Sequence, residues 1–374
     1  MTNWTLARRS VAFYFKSHLG TLLGAAIATA VLTGALLVGD SVRGSLREMA
    51  LSRIGRIDLA LTSGDRVFRA ALADELQSKL TGAQVVSAFQ LPATVSKPDA
   101  TARANQVQVT GVEDRFWDLA KQSPGALGVN DAFINERLAR QLKANVGDTV
   151  LIRVPRVSHL SRDAPLSPEE DSSVALRVEL RAILTDDQFG RFGLAASQVP
   201  PLNAFVSLHS LQARAGATNQ ANLLLVSGGN SLAAEKALRD SFTPQDAQLS
   251  FRPLTNNSVE VRSPRVFLDP PLSRAARGAA TNATPIFTYF VNQLRLGQNA
   301  TPYSMVSGTT FLPLADDEIA ITQWLADDLQ ARVGDQLAVS YFVMGLMREL
   351  VERTNSFRVA QIVPMQLPFA DPGL

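Results

Sequence analysis

The chain has 374 residues, is 46% hydrophobic and 19% charged, and carries 36 basic against 34 acidic side chains. With no cysteine it holds no disulfide, thiolate metal site or thiol nucleophile, and its dispersed basic residues make no stripe of the kind that binds nucleic acid. That length is enough for two cores of ordinary size, and a mean hydropathy of +0.06 fits one spanning helix joined to a folded domain.

Residues 1–18 come first, as an interfacial segment. Asn3–His18 is expected to form an amphipathic helix with Trp4, Phe13, Tyr14 and Phe15 near a membrane surface and cations on another face. Residues 19–39 follow: 21 positions without a formal charge, about 32 Å as a helix against a hydrocarbon core of about 30 Å. Arg8, Arg9 and Lys16 precede this run with no acidic residue, whereas Asp40, Arg43, Arg47 and Glu48 cancel beyond it. The bias predicts a cytoplasmic N-terminus in the inner membrane and a periplasmic or extracellular main domain. A cleaved signal peptide is the competing reading, but the run is longer than the usual apolar core of one. Gly20, Gly24, Ala30 and Gly34 form a small-residue ridge against which another membrane helix could pack.

Beyond the membrane the pattern predicts an α+β fold: a first domain over 40–188, then an inserted subdomain and second repeat over 189–374. Ser41–Ile54 continues the helix outward. Ile57–Thr62 reads as a strand, Arg66–Leu80 as a helix, and Gln84–Ser96 and Gln106–Val112 as strands. Asn203–Ser210 and Asn222–Ser227 read as strands of the inserted subdomain, followed by a helix at Ser231–Phe242. Val339–Met347 reads as a buried strand. Pro155–Ser173, Asp269–Ala283 and the Pro-rich C-terminus read as loops.

A duplication organises this region. Ile134–Ile152 (INERLARQLKANVGDTVLI) recurs as Ile321–Val339 (ITQWLADDLQARVGDQLAV), Gly334 lying 187 residues after Gly147. Eight of the nineteen positions are identical, where composition alone gives about one or two. The shared Ile, Leu, Ala and Leu are spaced as one buried helix face. Gly147-Asp148 and Gly334-Asp335 then predict a tight turn, glycine supplying a positive φ and aspartate capping the turn backbone. A strand leaves each turn, and Leu176–Leu184 and Ser356–Val363 supply a further strand in each copy.

No catalytic residue, cofactor or metal site is expected, since the chain lacks a phosphate loop, a dinucleotide fingerprint, HExxH and GxSxG. Asp186-Asp187 and Asp316-Asp317-Glu318 sit where strands end or helices begin, a position carboxylates favour on dipole grounds alone. An anchored hydrolase is therefore disfavoured, and a single-pass binding or sensor module is the alternative to the reading below.

The membrane helix, the repeated I-x-x-x-L-A-x-x-L-x-x-x-V-G-D-x-[VL] unit and the later strand carrying Phe357, Val359, Ile362 and Val363 resemble the periplasmic core of MacB/FtsX-type ABC transporter permeases. The resemblance implies a permease subunit that does mechanical work, with an ABC ATPase subunit, further permease helices or a second permease copy, and the lipid bilayer as partners. It also implies membrane helices after the external domain, so the chain is expected to be the N-terminal part of a longer protein.

Overall fold

Phe15–Ile54 contains no proline and is rich in alanine and leucine, so nothing interrupts helical hydrogen bonding across it. In the computed structural model it is one helix. Residues 2–157, 173–195, 197, 199–254, 257–265, 268–280, 282–346 and 349–366 are described. Most of the Pro155–Ser173 loop and the end of the Pro-rich C-terminus lie outside them.

The elements in chain order begin with α1 (Asn3–Phe13), α2 (Phe15–Ile54), β1 (Leu59–Thr62), β2 (Phe68–Arg69), α3 (Leu72–Lys79), β3 (Gln84–Ser96) and β4 (Arg103–Val112). Then come β5 (Asp131–Asn135), α4 (Glu136–Leu142), β6 (Thr149–Pro155), β7 (Ser173–Leu184), β8 (Leu202–Ser207), α5 (Leu208–Ala215), β9 (Gln220–Ala221), β10 (Leu223–Ser227) and α6 (Ser231–Ser241). The remainder is β11 (Ser250–Pro253), β12 (Val259–Arg262), α7 (Pro270–Ala279), β13 (Ile286–Leu296), β14 (Asn299–Thr309), β15 (Glu318–Thr322), α8 (Gln323–Leu329), β16 (Gln336–Met344) and β17 (Leu350–Val363). The fold class is α+β, with one helix among the described residues, near the N-terminus, long and apolar enough to cross a membrane.

Two compact units divide the chain: residues 1–64, 70–155 and 174–240 in the first, and 65–69, 156–173 and 241–374 in the second. In the first, β3 serves two sheets. Its N-terminal half pairs with β10, which pairs with β1, and its C-terminal half pairs with β4. The ring β3–β4–β8–β5–β7–β6 then closes on itself, because β6 pairs back onto β3 at Thr94–Ser96. Closure leaves no free edge in this barrel. A nearly continuous apolar run suits a strand covered on both faces, and Val85, Val86, Ala88, Phe89 and Val95 of β3 are all buried.

The second unit is an open five-stranded sheet, β14-β13-β16-β17-β15, with α8 and a separate β11-β12 ribbon. Its core is Val291, Leu294, Ile321, Leu325, Leu329, Leu337, Val339 and Val359 with their neighbours. A carboxylate knot ties its segments together. Asp246 accepts from the Arg69 amide at 3.1 Å, from Arg69 Nε at 3.0 Å and Nη2 at 2.8 Å, and from the Thr243 amide and hydroxyl at 2.8 Å each.

Several sequence expectations need correction. The expected helix Arg66–Leu80 begins only at Leu72, after β2. Asp269–Ala283 is not a loop: Pro270 and Pro271 occupy the first turn of α7, where the missing N–H groups cost nothing. The inserted subdomain does not stand apart, since β8 closes the barrel between β4 and β5 and β10 pairs with β3. The strand β8 also stops at Ser207, and His209 and Ser210 belong to α5. The outer half of β16 is uncovered, with Phe342 and Met344 exposed, so it is not a buried strand throughout.

Candidate functional site: a membrane helix seated on an aromatic cluster

The interfacial helix ends earlier than expected. Tyr14 breaks it (φ −96°, ψ 21°), so α1 stops at Phe13 and α2 takes up the chain at Phe15. In α2 the apolar run and its continuation to Ile54 are a single helix of 40 residues, about 60 Å long. About half of that length spans a hydrocarbon core. Leu22, Leu23, Ile27, Val31, Leu32, Leu36 and Leu37 are exposed all round it, a distribution stable in lipid rather than in water. Thr29 donates its hydroxyl to Ala25 O at 2.8 Å and Thr21 to Ser17 O at 3.3 Å, so these polar groups are satisfied within the helix. Beyond the backbone of their own helix, Gly20, Gly24 and Gly34 have no atom within 4 Å of where a Cβ would stand, and Ala30 is exposed, so the small-residue ridge is uncovered.

The far end of α2 is fixed. Gly55 terminates it at φ 59° and ψ −119°, a conformation that favours glycine. A Cβ at Gly55 would stand 2.5 Å from Leu119 O and 2.8 Å from the Phe189 ring. The Arg56 amide donates to Leu119 O at 2.8 Å, and the buried Arg53 guanidinium donates to Ser197 O. Ile54 and Ile57 pack into a core holding Phe116, Trp117, Phe133, Phe189, Phe192 and Phe205. The rings meet edge-on or tilted at centroid distances of 5.1 to 6.3 Å, geometries the ring quadrupoles favour.

Two buried amides hold the loop that carries Phe189 and Phe192. Asn135 Nδ2 donates to Gly190 O at 2.8 Å and Pro201 O at 2.9 Å, while its Oδ1 caps α4 through the Leu138 amide at 3.0 Å. Asn203 Nδ2 donates to Phe192 O at 2.8 Å. Sequence reading singled out none of Gly55, Asn135, Asn203 or the six rings. The available signal was the clustering of aromatics as Phe116-Trp117 and Phe189-x-x-Phe192 in a chain with only three tryptophans.

The repeated turn lies elsewhere and has the same construction in both units. Gly147 sits at φ 92° and Gly334 at φ 99°. Their amides donate to Leu180 O and Val359 O, each at 2.7 Å. Asp148 accepts from the Asn145 amide at 3.0 Å, and Asp335 from the Arg332 amide at 2.7 Å. Ile134 and Ile321 are not on the helix face expected of them: they belong to β5 and β15, and the helices bury only Leu138, Ala139 and Leu142, or Leu325, Ala326 and Leu329. Asp186 pairs with Arg191 at 2.9 Å, Asp187 with Lys121 at 3.4 Å, and Glu318 with Arg358, which accounts for these carboxylates as ion pairs.

Open space surrounds the missing Cβ at Gly147 and Gly334, so only backbone strain opposes a side chain there. Replacing either by valine is expected to cost about 1–3 kcal/mol. Asp148→Ala or Asp335→Ala should cost about 1 kcal/mol, the loss of one turn hydrogen bond and, at Asp148, of a partly exposed ion pair with Lys97 at 3.6 Å. Thermal melts of the four variants check this order, and aspartate variants that melt below the glycine variants would contradict it.

Among solved structures, the periplasmic region of MacB from Actinobacillus actinomycetemcomitans is similar to this chain at 12% identity and a TM-score of 0.33, covering 63% of this chain and 97% of that one. No curated protein sequence matches it. The MacB-like periplasmic core domain family matches residues 19–240, more than half of the chain, from the apolar part of α2 through the closed barrel to α6. The chain belongs to the MacB-like periplasmic core domain family.

Proposed function

We propose that this chain is the membrane-anchored, extracytoplasmic part of an ABC transporter permease, with its N-terminus cytoplasmic and both units outside the inner membrane. Its work is mechanical. ATP binding and hydrolysis take place on a separate subunit or domain, and movement of the membrane helices is passed to the folded units, where substrate is handled or exported. The observation that carries this reading is the unbroken run of α2 from its apolar segment onto the aromatic core. A helix is stiff along its axis, and a close-packed core transmits strain rather than absorbing it. Family membership supports the permease assignment, and the basic flank Arg8, Arg9 and Lys16 supports the orientation.

A reporter active only in the periplasm, fused after Gly64, is expected to be active there, and a cytoplasmic reporter at the same place silent. The reverse pattern would overturn the orientation. The isolated chain is expected to hydrolyse no ATP, whereas a complex purified from the source membrane through a tag on it should do so. Hydrolysis by the isolated chain would remove the division of labour on which the reading rests.

A further inference from the structure

Five strands of the first unit's barrel, β4-β3-β6-β7-β5, recur in the second unit as β14-β13-β16-β17-β15, well beyond the nineteen residues visible in the sequence. The strand β5 pairs parallel with β7, Asp131 opposite Glu179, with a register shift after Ala132. In the second unit β15 pairs parallel with β17, Glu318 opposite Arg358, with the shift after Ile319, the residue corresponding to Ala132. Ile152 of β6 faces Val95 of β3, and the corresponding Val339 of β16 faces Leu294 of β13. Arg103 and Ala104 of β4 face Ser96 and Val95, as Ala300 and Thr301 of β14 face Arg295 and Leu294. Even the positive φ in the middle of the hairpin recurs, 57° at Gln106 and 53° at Tyr303.

Among the barrel strands, β8 alone has no counterpart in the described residues of the second unit. In the first unit β8 fills the gap between β4 and β5, parallel to one and antiparallel to the other. In the second, among the described residues, no strand lies between β14 and β15, and both are edges. The consequence shows in burial. Val107, Val109, Thr110 and Val112 of β4 are buried, whereas the corresponding β14 segment, 304–309, is exposed or half-exposed throughout. Ala132 and Phe133 are buried, while Ile319 and Ala320 are only half-buried.

A glycine marks the same vacancy. A Cβ at Gly111 would stand 3.1 Å from Leu208 Cα and 3.1 Å from the Leu211 side chain, because α5, which follows β8, lies directly on β4. Its counterpart Gly308 meets only Phe287 O, at 3.8 Å. The second unit thus keeps the glycine that makes room for a strand-and-helix cover, and among the described residues it has no such cover.

We propose that the gap between β14 and β15 is a strand-acceptor site. Its occupant is an uncharged, mostly apolar extended segment of the kind of Leu202–Ser207, running parallel to β14 and antiparallel to β15, with a short helix after it that lies over Gly308. Exposed edges recruit strands through main-chain hydrogen bonds, with alternate side chains setting specificity. Here the first unit supplies the template for both.

The probe is a synthetic peptide of residues 200–216, the first unit's own strand and helix, added to the full chain and followed by hydrogen exchange and titration. Saturable binding is expected, with amides slowed at Met305–Ser307 and Ile319–Ile321, and a scrambled peptide should do nothing. Gly308→Leu has room in the unoccupied site, so it should leave the melting temperature unchanged while weakening binding about tenfold or more, because close packing cannot accept a side chain at the contact. No saturable binding, protection confined to the first unit, equal binding by the scrambled peptide or undiminished binding to the leucine variant would each overturn the proposal. Sedimentation showing that a second copy of the chain already pairs with β14 or β15 would overturn it in favour of self-association.

Discussion

Replacing Gly55 by valine should unseat the membrane helix from its barrel. The backbone at φ 59° and ψ −119° lies outside the regions that a β-branched residue tolerates, which costs about 1–3 kcal/mol. The new Cβ would also press on Leu119 O at 2.5 Å and on Phe189 at 2.8 Å, and overpacking of this kind adds about 1–3 kcal/mol. The carbonyl cannot yield without breaking its hydrogen bond from Arg56, nor Phe189 without disturbing Phe116 and Phe192. A combined loss of about 2–6 kcal/mol is expected, a fall in melting temperature of roughly 10 °C. Near-ultraviolet circular dichroism should also lose the signal of the packed rings around Trp117. A variant that melts with the wild type and keeps that signal would show that α2 ends freely and that the aromatic core does not hold it.

The second large effect is expected at Asp246. Removing its carboxylate by Asp246→Ala takes from the Arg69 guanidinium its charged partner and from the Thr243 amide its acceptor, and should destabilise the second unit by about 2–4 kcal/mol. The same group gives this unit a defined acid response. Burial by itself opposes the charged form of Asp246, but the hydrogen bonds from Arg69 and from the Thr243 backbone and hydroxyl outweigh it and hold the carboxyl below the usual carboxylate range. A carboxyl whose folded value is depressed stabilises fully above its unfolded value, about pH 3.9, and loses that contribution as pH falls towards the folded value. Urea midpoints of the wild type should therefore drop between pH 5 and pH 3 by more than those of Asp246→Ala. Parallel pH profiles for the two proteins would show that the carboxylate is not the titrating support.

Features carried by local pattern were legible in the sequence. The apolar run of α2 announces itself because every face of a spanning helix must be apolar. The turns at Gly147 and Gly334 announce themselves because a positive φ and a capping aspartate restrict the choice at two adjacent positions. The strand β3 was legible from Gln84 to Ser96 because valine, alanine and phenylalanine crowd its first half, as suits a strand covered on both faces. The shared Ile134 and Ile321 were placed on a helix because four-residue spacing to Leu138 and Leu325 also suits a strand that runs straight into a helix through an Asn135 or Thr322 cap. Local spacing does not tell these two apart.

Tertiary structure alone decided the rest, because each remaining feature depends on which distant segments meet. The strand β8 has the same uncharged, mostly apolar character whether it builds a separate subdomain or closes a barrel, and its partners β4 and β5 decide which. Gly55 becomes indispensable only when Leu119 and Phe189 arrive beside it. Asp246 becomes a knot only because Arg69, far away along the chain, is brought within 3 Å of it. Local pattern was enough to place an apolar helix before a twice-used helix-turn-strand unit. Long-range pairing determined that one copy closes into a barrel, and that the other keeps an open edge between β14 and β15.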